Sequence, residues 1–189
     1  MKLPMPSLIL LVPLIGVTDS LIKALAFLLI FAVIATLHRA LLKSCAPLLD
    51  ASQKWLASAL IAATLVTCAE TGVLLQAPDL HKALGIYLPL MAIHCLQIQT
   101  VRIGRYALCG YALLMLSLGF VRELLGNGTI LSNAHWLFGN SAIQWQISLP
   151  APALHMATLA PGGFILLGLL LAAYNALTRP TSSKEIPRS

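Results

Sequence analysis

Apolar runs alternate with short polar stretches along nearly the whole chain. A helix that crosses the hydrocarbon core of a bilayer takes about 20 apolar residues. Four runs approach or reach that length without interruption, at 20–38, 55–76, 105–122 and 154–177. Two more are shorter and carry a proline: 5–18 with Pro13, and 83–99 with Pro89. The pattern predicts an all-α integral membrane protein with six transmembrane helices, the first and fourth broken. One transmembrane domain covers 1–177, and 178–189 form a polar tail. A secretory leader does not explain the start. Pro4, Pro6 and Pro13 break the first run, no A-x-A site follows, and the later runs would remain unexplained.

Composition agrees with the pattern. The 189 residues are 59% hydrophobic and 10% charged, against about 45–50% and about 25% in soluble domains. The net charge of +6 is spread between the apolar runs, which excludes a nucleic-acid-binding patch. Nine of the 12 Lys and Arg fall on one side of a six-span layout, including Arg39, Lys43 and Lys54. Lys23, Lys82 and Arg122 fall on the other side. Positive loops stay inside, so both termini are expected in the cytoplasm, in a multi-pass protein of a bacterial inner membrane. In the long loop 123–153, Trp136 and Trp145 suit the interface and "GNGT" reads as a helix stop. Gly72, Gly85, Gly104, Gly110 and Gly119 suit close packing of spans or contact with a partner span.

The two broken runs resemble each other. "LLVPLIGV" (10–17) and "IYLPLMAI" (86–93) share their proline-leucine register, and each opens a group of three spans. An odd group must recur upside down, which gives inverted repeats over about 5–76 and 83–177. Broken helices in such repeats free backbone groups that tolerate only a protein-packed or wet site. A plain proline kink without function is the competing reading.

Few side chains bring chemistry. Cys45, Cys68, Cys95 and Cys109 show no C-x-x-C spacing and read as packing residues unless a cofactor claims them. Glu70 in "TLVTCAETGV" is either part of an ion pathway, with Thr67 and Thr71 a turn away, or a carboxylate reaching the outer surface. Arg122 and Glu123 read as structural, paired with each other or with a partner subunit at the membrane edge. No G-x-G-x-x-G and no S/T-G-A-T flavin motif is present, so the chain alone is not a complete enzyme.

Four stretches carry a likeness to a known family: "PLIGVTDS", "ALGIYLPLMAIHC", "VRELLGNGTI" and "LAPGGFILLGLLLAAYN". With them the chain resembles the Rnf/Nqr membrane subunits, and "RELLGNGT" followed by "APGGFILLG" favours the E type over its sister A type. The resemblance implies a membrane component of an electron transport complex that couples electron flow from ferredoxin or NADH to Na⁺ or H⁺ movement. In some bacteria a related complex keeps a redox sensor reduced. It also implies an A-type partner of opposite orientation and a [2Fe–2S] cluster held between the two by cysteines of the broken helices. One family cysteine falls on Cys95. The other falls on Val12, where the family reads Gly-Leu-Cys-Pro, and a valine cannot bind iron. Three readings follow. His94 replaces the ligand, which needs a backbone unwound near Pro89 because adjacent helical residues point about 100° apart; the cluster is absent in a divergent member; or another cysteine such as Cys109 reaches the site. A small inverted-repeat transporter is the alternative from a different class.

Overall fold

The computed structural model describes residues 11–100, 105–139, 142, 144, 146–148 and 154–178. The start of the first run, Gly104, Trp145, most of the loop from 140 to 153 and the tail beyond Thr178 lie outside the described residues. The order is α1 (Leu11–Gly16), α2 (Leu21–Cys45), α3 (Ala51–Gln76), α4 (Pro78–Leu84), α5 (Tyr87–Thr100), α6 (Arg105–Asn127), β1 (Thr129–Ile130), α7 (His135–Phe138), β2 (Ile147–Ser148) and α8 (Ala160–Thr178). Three helical stretches are long and apolar enough to cross a membrane: Leu21–Leu48, Gln53–Gln76 and Leu108–Asn127. Ala160–Ala176 is a shorter apolar helix. The protein is therefore a helical membrane protein. β1 and β2 form a small antiparallel pair in the long loop.

Neither proline interrupts a described helix. Pro89 is the third residue of α5. In a first turn the N–H has no intrahelical acceptor, so proline costs nothing there. The carbonyl of Gly85 accepts from Leu88 N–H instead, at 3.3 Å. The chain breaks at Gly85, whose φ of +47° a side chain would resist. In the first run the helix continues past Pro13 to Gly16 and breaks over 17–20. The expectation that Pro13 and Pro89 interrupt the helices is thus corrected: residues just before or after them do.

α2 packs against α3, α5 and α6; α3 packs against α5, and α6 against α8. The core joins Phe27, Phe31 and Ile34 of α2 to Val66 of α3, Leu88 and Met91 of α5, and Met115 and Leu118 of α6. A Cβ on Gly119 would stand 3.4 Å from the Cβ of Ala24, so a glycine lets α6 approach α2 closely. A Cβ on Gly72 or Gly110 would meet nothing within 4 Å among the described residues. His38 Nε2 lies 3.1 Å from Ser58 Oγ and ties α2 to α3 in the core. Large apolar side chains such as Leu60, Phe164 and Leu169 point outward, as a surface solvated by lipid permits.

Candidate functional site

The buried stripe of α5 repeats at helical spacing through Leu88, Met91 and Cys95, with His94 beside it. His94 is 1% exposed and Cys95 2%. The His94 ring stands edge-on to Phe31 of α2, with centroids 6.2 Å apart. Neither of its ring nitrogens has a hydrogen-bond partner among the described residues. Imidazole and thiol are adjacent, and successive helical residues project about 100° apart, yet both face protein. Cys109 and Cys68 are exposed, so neither joins Cys95 in the core. Among the described residues no three His, Cys, Asp or Glu side chains gather into a metal-binding group.

Glu70 lies apart from this pair. It sits on α3 with its Oε1 3.4 Å from His81 Nε2 of α4. The hydroxyls of Thr67 and Thr71 donate to the carbonyls of Ala63 and Thr67, each at 2.9 Å. Both hydroxyl protons are thus spent on the helix backbone.

The polar centre of the molecule is a pair whose sequence position suggests the membrane edge: Arg122 and Glu123, each 1% exposed. They do not pair with each other. The guanidinium of Arg122 donates to the Ile15 carbonyl at 2.5 Å and to Thr18 Oγ1 at 2.9 Å. It also reaches the carbonyls of Ala157 at 3.0 Å, Thr158 at 2.6 Å and Leu159 at 3.3 Å. Every carbonyl in the last turn of α1 from Pro13 to Ile15 is thereby answered. Pro13 accepts Val17 N–H at 3.0 Å, Leu14 accepts the Thr18 hydroxyl at 2.5 Å, and Ile15 accepts Arg122. Glu123 serves the other side of the same break. Its Oε2 accepts the N–H of Leu21, the first residue of α2, at 2.7 Å, and its Oε1 accepts Ser132 N–H at 2.7 Å. A cation stands at the end of one helix and an anion at the start of the next, as the helix dipoles favour.

The four stretches that carry the family likeness meet here. Arg122 of "VRELLGNGTI" binds Ile15 and Thr18 of "PLIGVTDS". A Cβ on Gly163 of the last stretch would stand 3.1 Å from the Arg122 guanidinium carbon. A Cβ on Gly16 would collide with the ring of Tyr87 at the start of α5, and one on Gly126 with Thr158. The available signal was the arginine itself: a guanidinium beside an apolar run needs acceptors, and a broken helix supplies them.

The apolar helices and this clamp define a multi-pass helical membrane protein. A family model described as "Rnf-Nqr subunit, membrane protein" matches residues 5–171. The chain is 32% identical to the E-type component of the ion-translocating oxidoreductase complex of Pseudomonas aeruginosa strain LESB58, over 87% of this chain and 76% of that relative. It is 27% identical to the protein of the same name from Cellvibrio japonicus, over the same shares. The chain belongs to the Rnf-Nqr family of membrane subunits.

Proposed function

We propose that the chain is the E-type membrane component of an ion-translocating electron transport complex, in which it carries electrons at membrane depth beside an A-type sister of opposite orientation. The family match supports the complex, and the observation that carries the local role is the buried pair His94 and Cys95. A thiol and an imidazole with no hydrogen-bond partner among the described residues are the right donors for a [2Fe–2S] cluster, which takes four ligands from Cys or His. This chain then supplies Cys95; His94, on the same helix from Tyr87 to Thr100 and about 100° away, joins it in place of the ligand that Val12 lacks only where α5 unwinds on assembly, and the partner supplies the rest. When bound, such a cluster accepts and passes one electron. Cys95 faces this chain's own core, so sharing the cluster demands that the partner's broken helix approach that same end of α5.

Six spans in two inverted repeats fit the packing. Exchanging α1 with α5, α2 with α6, and α3 with α8 turns the α1–α8 contact into α5–α3 and the α2–α3 contact into α6–α8. It leaves α2 against α6 at the pseudo-twofold axis. In this reading both termini are cytoplasmic, the membrane is the bacterial inner membrane, and Glu70 belongs to the ion pathway.

A second reading, a divergent member without a cluster, is favoured by Val12 and by the core-facing position of Cys95. Metal content separates the two. The chain is purified with its A-type partner, and iron and visible absorbance are measured. Iron that is lost on Cys95→Ala supports the electron carrier; an intact, iron-free pair selects the divergent member. Iron that persists in the variant refutes the ligand assignment.

A further inference from the structure

We propose that Arg39, Lys43 and Lys54 bind the phosphodiester head of an anionic phospholipid, in the groove between the end of α2 and the start of α3. The three cations line one cavity of about 300 Å³ together with Leu42 and Ala46. That volume is at the small end of ligand clefts, which run from about 300 to 1,000 Å³. All three cations are exposed, and Leu42 and Ala46 are half-buried. Among the described residues none of the three forms an ion pair. Asp50 is the only Asp or Glu from residue 39 to 54. It caps the start of α3 in a reciprocal box with Gln53. Even with Asp50 counted, the joint keeps an excess of positive charge.

The cavity lies at an edge of the bilayer. α2 carries no Asp, Glu, Lys or Arg from 24 to 38, and α3 carries none from 55 to 69. The two helices pack together and are joined by residues 46–50, so both apolar stretches end at this joint. Trp55 directly follows Lys54 and is 64% exposed, and indole rings favour the headgroup level. Helix electrostatics does not explain all three cations. Lys43 stands in the last turn of α2, where the dipole favours it. Lys54 is the fourth residue of α3, towards the positive end of that helix. A shared anion gives it a counter-charge.

The lining chooses the ligand. Basic pockets between helices at a membrane face suit phospholipid heads. A free phosphate would use the cations and leave Leu42 and Ala46 without a partner. A phospholipid uses both, because its acyl chains continue towards the bilayer centre. In that direction the helices expose Val33 and Leu37 of α2 and Leu56 and Leu60 of α3. One bound head would tie the end of α2 to the start of α3. The site rests on no part of the redox reading.

The test uses the full chain in the complex with which it co-purifies, in a zwitterionic detergent. Phosphatidylglycerol with a photoreactive group near its head is added, and crosslinked peptides are mapped. Label on peptides from 39–56 is expected, with unlabelled phosphatidylglycerol competing and phosphatidylcholine not. Each basic residue near an anionic lipid contributes about fivefold. Lys43→Gln combined with Lys54→Gln should therefore cut this label by about tenfold or more. Ala46→Phe fills the groove and keeps every charge. It should also reduce the label, which diffuse attraction to a basic surface would not do. Lys82→Gln, beyond the other end of α3, should leave the label unchanged. Should the double variant unfold, Lys43→Gln alone is expected to lower the label by about fivefold. Equal competition by phosphatidylcholine, or a label indifferent to the lysine and Ala46 variants, would overturn the site. Competition by inorganic phosphate as strong as that of phosphatidylglycerol would overturn the lipid as its ligand.

Discussion

Replacing Arg122 with Met tests the clamp that holds the broken helices. Methionine keeps much of the length and removes both the charge and the fork. Five hydrogen bonds are lost, to Ile15, Thr18, Ala157, Thr158 and Leu159. A bond from a charged donor contributes about 1.5–3 kcal/mol, and the simple sum would exceed the whole stability of most domains, roughly 5–15 kcal/mol. Two effects reduce it. Removing the guanidinium returns its desolvation cost, several kcal/mol for a buried ion. Side-chain hydrogen bonds in membranes also average only about 0.6 kcal/mol, because the unfolded segments find other partners. The net expectation is a loss of about 3 kcal/mol, mostly from the carbonyls of Ile15, Ala157 and Thr158 losing the guanidinium, while that of Leu159 keeps the Gly163 N–H. Unfolding by SDS in mixed micelles, followed by far-ultraviolet circular dichroism, measures it. Lysine has three donors on a point charge and cannot fork across two segments, so Arg122→Lys should recover less than half the loss. A Met variant within about 0.5 kcal/mol of wild type would refute the clamp. Full recovery by lysine would show that charge, not geometry, matters.

Other consequences can be checked in the same assay. Gly163→Ala places a methyl 3.1 Å from the Arg122 guanidinium carbon and should cost about 1–3 kcal/mol by displacing it; combined with Arg122→Met, its further cost should shrink, as expected for coupled neighbours. Gly16→Ala collides with the Tyr87 ring and should be strongly destabilising, and Tyr87→Ala should rescue it at least in part; no rescue would mean the contact is not the cause. Ser58→Ala removes the hydroxyl beside His38 Nε2 and should cost about 1 kcal/mol, measured as a shift in the SDS midpoint. If His94 binds the cluster, nitrogen hyperfine coupling should appear in the pulsed electron paramagnetic resonance of the reduced pair and vanish in His94→Ala.

The long apolar runs were legible because length alone decides whether a helix can span a bilayer. Residues 55–76 fall inside α3 as expected, and α2 takes up nearly all of 20–38. The positions where the helices end were not legible. Proline is a poor guide in the first turn of a helix, and Pro89 sits there harmlessly. The actual break depends on Gly85 adopting a positive φ, which composition does not reveal. Arg122 was the larger miss. By position it belongs to the outer-facing cations, and its real partners are 35 to 37 and 104 to 107 residues away. Such contacts leave no local pattern. The likeness of the four stretches pointed to them without saying why they belong together; the Arg122 and Gly16 contacts supply the physical reason.

Above all, this chain is proposed to carry electrons within a membrane complex that moves ions. The most direct measurement reconstitutes the complete complex in liposomes and follows electron flow from a low-potential donor together with cation uptake, for the wild type and for Cys95→Ala. Both should fall together in the variant, while the complex remains assembled. Electron flow and cation uptake at wild-type rates in Cys95→Ala would contradict the proposed role.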